Sequence, residues 1–134
     1  MEKKQVIKLP TIKSLESKVW KECVRIIRSK YPHECISCGK KIEGKDLHTG
    51  HYFRKRFIPL QMKYDLRLLR CQCSYCNLRL HGNLEWYTVG LLKSESPSYI
   101  LDIAEDVKFY KEEHLDVKQQ RAYLQDKLEK YKLL

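Results

Sequence analysis

Apolar residues recur at spacings of three and four from Leu15 through Val19, Trp20, Cys23, Ile26 and Ile27, which predicts an amphipathic helix of about four turns. Ser14 is the expected N-cap, and Tyr31-Pro32 stops the helix. Residues 33–83 read differently, as a loop-rich stretch bearing cysteines. Within it, apolar alternation over 47–53 and an apolar-basic run over 66–70 predict two strands paired as a hairpin, with Pro59 in the intervening loop. From Leu84 the period returns to helical, over 84–92, 99–113 and 117–131, the last with Asp116 as N-cap and a narrow stripe of Leu124, Leu128 and Tyr131. The pattern divides the chain into a basic N-terminal segment with its helix (1–32), a central core (33–92) and a helical C-terminal segment (93–134).

The length of 134 residues fits one domain, and a content of 43% hydrophobic and 33% charged residues is that of a folded chain. No apolar run reaches the roughly 20 residues that span a bilayer, and MEKKQVIKLP has no signal-peptide core. The expectation is a cytoplasmic protein that neither enters membranes nor takes a small-molecule substrate. A formal charge of +10 points to a polyanionic partner. That excess sits in residues 1–98, because residues 99–134 hold seven basic and eight acidic side chains. The near-neutral tail is therefore expected to fold back on the first helix or to pair with a second copy as a homodimer.

Two CxxC units, Cys35-Ile-Ser-Cys38 and Cys73-Ser-Tyr-Cys76, carry the strongest chemical signal. Two intervening residues let both sulfurs of a tight turn reach one ion, and two such turns complete a closed tetrahedral site suited to structural Zn²⁺. Cys23 lies on the helix's apolar face and reads as core. Cys71 is ambiguous, since it could replace Cys73 at a poorer spacing.

A second cluster of harder donors lies inside and just after this frame: Asp46, His48, His51, Asn77 and His81. Oxygen and imidazole donors with vacant positions suit a divalent ion that works on phosphate. A helix starting near Ser74 would place Asn77 and His81, four apart, on one face. The rival reading makes these histidines ordinary surface residues, which is how His33 and His114 are read.

Cys35-Ile-Ser-Cys38-Gly39, Gly50-His51-Tyr52, Gln72-Cys73-Ser-Tyr-Cys76-Asn77 and Gly82-Asn83-Leu84 followed by Tyr87 resemble the NinG/Rap family of lambdoid phages. More broadly, the layout is similar to HNH, or ββα-metal, nucleases. The resemblance implies an α+β fold, with a zinc-stabilised ββα-metal core flanked by an N-terminal helix and C-terminal helices. It also implies an endonuclease that cuts branched DNA such as Holliday junctions and D-loops, in the host cytoplasm of a phage or prophage.

By position, the resemblance makes His51 the general base and Asn77 and His81 ligands of a catalytic Mg²⁺ or Mn²⁺. Two positions depart from the family pattern. Gly50 stands where a ligand is common, so His48 or Asp46 on the same strand face would have to serve. Leu68 stands where an Asn orients the base, leaving Asp65 or the main chain to do so. Arg54, Lys55, Arg56, Lys63, Arg67, Arg70 and Arg79 form the expected phosphate-binding face, opposed only by Asp65 between residues 51 and 81. Tyr52 and Phe53 either stack on splayed bases or one of them packs in the hairpin core. The competing functions are an HNH nuclease without branch preference and a zinc-ribbon DNA-binding protein without catalysis.

Overall fold

The computed structural model describes residues 8–134, so the first seven positions of the basic N-terminal segment lie outside it. The N-cap of helix α1 (Ile12–Lys30) lies three residues before the expected one. Thr11, extended after Pro10, accepts a hydrogen bond from the Ser14 backbone N–H, so Ser14 sits inside the first turn. The helix lays Leu15, Val19, Cys23, Ile26 and Ile27 into the core and ends at Tyr31.

The central segment forms two short strands, β1 (Leu47–His51) and β2 (Leu69–Cys73), paired antiparallel. The second strand lies three residues later than its apolar-basic run suggests. Asp65 caps a 3₁₀ turn, Leu66–Leu68, by accepting from the Arg67 N–H, which keeps those residues out of the sheet. Register pairs Leu47 with Cys73, His48 with Gln72, Gly50 with Arg70 and His51 with Leu69. A short helix, α2 (Leu60–Lys63), lies in the connection after Pro59.

Helices α3 (Leu84–Ser94), α4 (Pro97–Lys111) and α5 (Val117–Lys132) follow. Asp116 and Gln119 close a capping box at the start of α5. Pro97 opens α4, two residues ahead of the apolar pattern, as a proline in a first turn can.

Two apolar cores result. One joins α1 and α5 to Leu47, Leu69, Cys71 and Tyr64; the other packs Tyr52, Ile58, Met62 and Leu68 under α3 and α4. The stripe of Leu124, Leu128 and Tyr131 is thus covered by α1 of the same chain. Arg25 ties this pairing by donating to the carbonyls of Tyr131 and Leu134. The first and last thirds of the chain therefore share a core. Tyr52 packs in the second core with Phe53 edge-on against it, the packing alternative of the two considered for these rings. Among the described residues, no helix is long and apolar enough to cross a membrane.

Candidate zinc centre and adjoining basic cleft

Cys35, Cys38, Cys73 and Cys76 converge with all four sulfurs within 4.8 Å of one another. The Cys38 and Cys73 sulfurs are 3.8 Å apart. A tetrahedral zinc with bonds near 2.3 Å requires S···S edges of about 3.8 Å, so the donors fit that ion in number, type and spacing. Each unit folds as a tight turn. Cys38 N–H donates to Cys35 Sγ (3.5 Å) and Cys76 N–H to Cys73 Sγ (3.4 Å), while Asn83 Nδ2 donates to Cys76 Sγ (3.5 Å).

Although burial opposes ionisation, backbone N–H groups of Cys73, Cys38 and Ser37 pull the Cys35 thiol below its ordinary value. Burial pushes Cys76 up to about 12, so its thiolate needs a bound cation to persist at neutral pH. Cys71 lies outside the cage, buried between β2 and α1, and its thiol is raised by burial. Cys23, held at about 12 chiefly by burial, is a core thiol.

Beside the cage opens a cleft of about 700 Å³, lined by His51, Arg54, Lys55, Arg56, Lys63, Asn77, His81 and Gly82. His51, at the end of β1, is half-buried. Its ring lies parallel to the Trp20 indole of α1, with centroids 5.2 Å apart and planes at 10°. Its Nε2 lies 2.8 Å from the Lys63 carbonyl oxygen. A carbonyl can only accept, so Nε2 carries the proton and Nδ1 presents a lone pair. Burial holds the imidazole below its ordinary value, outweighing the Lys63 hydrogen bond, and the charges of Lys55 and Lys63 act in the same downward direction. These surroundings favour the neutral ring. The main chain anchors it, but from Lys63. The Leu68 carbonyl receives Tyr52 N–H and the Tyr87 hydroxyl instead, and Asp65 receives Arg67.

Asn77 and His81 both reach the cleft, though not along one α-helical face. Tyr75–Arg79 is a π-helical turn that ends at Leu80, and His81 follows in left-handed backbone with φ of 50°. Asn77 Nδ2 donates to His48 Nδ1 (3.0 Å), leaving Asn77 Oδ1 for a cation and making His48 its orienting partner. Asp46 does not line the cleft. It accepts from Ser74 N–H (2.9 Å) and Ser74 Oγ (2.6 Å) and pairs with Lys40 (2.8 Å), and these partners hold its carboxyl well below the usual carboxylate range. The space at Gly50 is filled by Gln72, whose side-chain amide a Cβ there would strike.

The basic residues separate into two groups. Arg54, Lys55 and Arg56 are exposed around a 3₁₀ turn on the cleft wall. Arg67 is engaged by Asp65 and Asp106, and Arg70, only 2% exposed, bonds Tyr99, Glu95 and the Leu69 carbonyl while lying over Tyr31. Neither is available to a phosphate as expected. Arg79 is exposed outside the cleft lining. Trp20 escaped the sequence reading because helical spacing marks it as one more apolar position and cannot reveal a contact with a strand thirty residues on.

A mixed α+β protein with a two-stranded sheet and a four-cysteine site fit for zinc is the class that fold and site define. Residues 1–133 match the family model described as Bacteriophage Lambda NinG protein, and the chain belongs to that family. It is 32% identical over 94 residues to Protein ninG of Salmonella phage P22, a stretch covering 70% of this chain and 45% of that protein. The chain thus spans about half the length of that curated relative. No solved structure matches.

Proposed function

We propose that this chain is a metal-dependent endonuclease of the HNH, or ββα-metal, kind that cuts branched DNA. The observation that carries this reading is the His51 ring. It is clamped by the Lys63 carbonyl and Trp20 and lines a basic cleft shared with Asn77 and His81, and its burial favours the neutral imidazole. The order of β1, β2 and the helical turn bearing Asn77 agrees with a ββα arrangement.

In this reading Arg54, Lys55, Arg56 and Lys63 hold the phosphates of the strand. His51 Nδ1 takes a proton from water as its oxygen bonds to phosphorus. The bond from phosphorus to the 3′ oxygen breaks, and that oxygen takes up a proton from solvent water to leave a 3′ hydroxyl and a 5′ phosphate. Asn77 Oδ1 and His81 would hold a Mg²⁺ or Mn²⁺ ion, which would supply positive charge against the developing negative charge. The preference for branched DNA rests on the family resemblance. A homodimer would suit the two-fold symmetry of a junction, in the cytoplasm of the phage host, but the α5 stripe is already covered, so a second copy would use another face.

A non-catalytic zinc-ribbon DNA-binding protein is the second reading, favoured by Gly50, which has no side chain to offer as a ligand and whose Cβ space Gln72 fills. Incubating a four-way junction and a linear duplex with the zinc-loaded chain in Mg²⁺ or Mn²⁺ separates these readings. Junction cutting is expected, falling about 10²- to 10⁴-fold in His51→Ala at unchanged zinc content. Equal activity in that variant removes His51 from catalysis. Equal cutting of the duplex removes the branch preference, and binding without cutting in either ion establishes the non-catalytic reading.

A further inference from the structure

His81, Gly82 and Asn83 form three consecutive residues with positive φ, at 50°, 95° and 42°. Left-handed backbone is disfavoured for residues with a Cβ, and here two of the three have one. The segment nevertheless delivers His81 to the cleft wall, with Gly82 beside it. Backbone hydrogen bonds from Gly82 N–H to the Cys76 carbonyl and from Asn83 N–H to the Leu80 carbonyl tie the segment to the preceding turn, both at 2.9 Å. They leave the Gly82 carbonyl free.

Its partner comes from the sheet. Gln72, 0% exposed near the end of β2, donates Nε2 to the Gly82 carbonyl (2.6 Å) and to Ser37 Oγ (3.0 Å) within the first CxxC unit. Ser37 Oγ in turn donates to the Asn83 carbonyl (3.4 Å). The Gln72 Oε1 is buried without a donor, an expensive arrangement that an apolar side chain in a buried strand would avoid. That oxygen lies where a Cβ on Gly50 would be. Gly50 and Gln72 thus form a matched pair, in which the absent side chain of one makes room for the amide of the other.

The geometry points to Gln72 as a positioning residue: its amide holds the left-handed run 81–83 to the zinc-binding turn so that His81 faces the cleft, and Gly50 is glycine to admit that amide. The link to ion binding rests on the nuclease reading above, whereas the clamp itself does not.

Amide hydrogen exchange of the zinc-loaded chain tests the clamp without reference to activity. In Gln72→Met, which keeps the volume and loses both donors, exchange at Gly82 and Asn83 is expected to accelerate about tenfold or more, with β1 and α1 amides unchanged. Unchanged exchange at Gly82 and Asn83, or equal acceleration everywhere, overturns the proposal. If that variant does not fold, Gln72→Asn, one methylene too short to span Gly82 and Ser37, takes its place.

Mn²⁺ titration followed by the free-ion EPR signal supplies the second measurement. Gln72→Met is expected to weaken Mn²⁺ binding about tenfold, the range for residues that orient ligands, and to weaken it no further in a His81→Ala background. Independent, multiplying losses in the double variant overturn the assignment to His81. A parent chain that binds no Mn²⁺ while keeping the exchange contrast removes the nuclease reading and upholds the clamp.

Discussion

The cysteine cage and the basic cleft lie side by side yet are built on opposite principles. In the cage every strong donor is turned inward, three of the sulfurs receive or share N–H···S bonds, and no position is left over. In the cleft the ordering is incomplete by design: His51, His48 and Asn77 each spend one polar atom on the protein, and His51 Nδ1 and Asn77 Oδ1 remain free. Closure suits an ion that holds the fold, and vacancy suits one that meets a substrate. The cleft inherits its order from the cage, through Asn83, Ser37 and Gln72, so the rigid site is the foundation of the open one.

Removing zinc should break this comparison most severely. Structural thiolate sites contribute on the order of 10 kcal/mol to folding, so a strong chelator or Cys35→Ser is expected to abolish the cooperative thermal transition and reduce helicity in circular dichroism. A chain that keeps its melting curve under chelation would show that the cage is not the foundation.

The two groups of basic residues provide the next test. Replacing Arg54, Lys55 and Arg56 together by Ala should lower the slope of log binding constant against log salt for a junction by about 3, since each phosphate contact contributes about 0.9. Arg70→Met should leave that slope alone and cost about 2 kcal/mol of unfolding free energy, through lost hydrogen bonds of a buried charge. A slope that changes with Arg70 would place it on the DNA side.

The smallest expected effect is a pH dependence. Because the folded protein holds His51 below its ordinary value, the unfolded chain takes up the proton first as pH falls below about 6.5, and the unfolding free energy declines through that window. Denaturation of the parent and of His51→Gln between about pH 7 and 5 should show the steeper decline in the parent. An equal decline would mean that the ring is not kept neutral by its surroundings.

The periodicity of 15–27 and the CxxC spacing made α1 and the cage legible, because both depend on contacts within a few residues or on a ligand code that spacing expresses. The C-terminal helices were legible in extent, and Asp116 was legible as a cap. What spacing could not carry was the direction of groups fixed by distant partners. Arg67 and Arg70 read as phosphate ligands until Asp106, Glu95 and Tyr99, up to 39 positions away, are seen to occupy them. Asp46 read as an ion ligand, but Ser74 and Lys40 claim it. Asn77 and His81 read as neighbours on one α-helical face, whereas a π turn and a left-handed residue carry both to the cleft wall.

The packing of α5 on α1 sets an order of events for a chain emerging from the ribosome. Every cage and cleft side chain has been made once Gly82 is added, but the face of α1 that carries Val19 and Cys23, which meets Leu69, Cys71 and Tyr64 earlier, is fully covered only when Leu124 and Leu128 arrive. The indole that backs His51 belongs to that same helix. At roughly 5–20 residues per second, the chemistry-bearing residues wait several seconds for the helix that steadies them. Contacts across so many intervening residues also slow the search for the native state. A nascent chain can therefore bring its four cage cysteines together well before its cleft takes final shape.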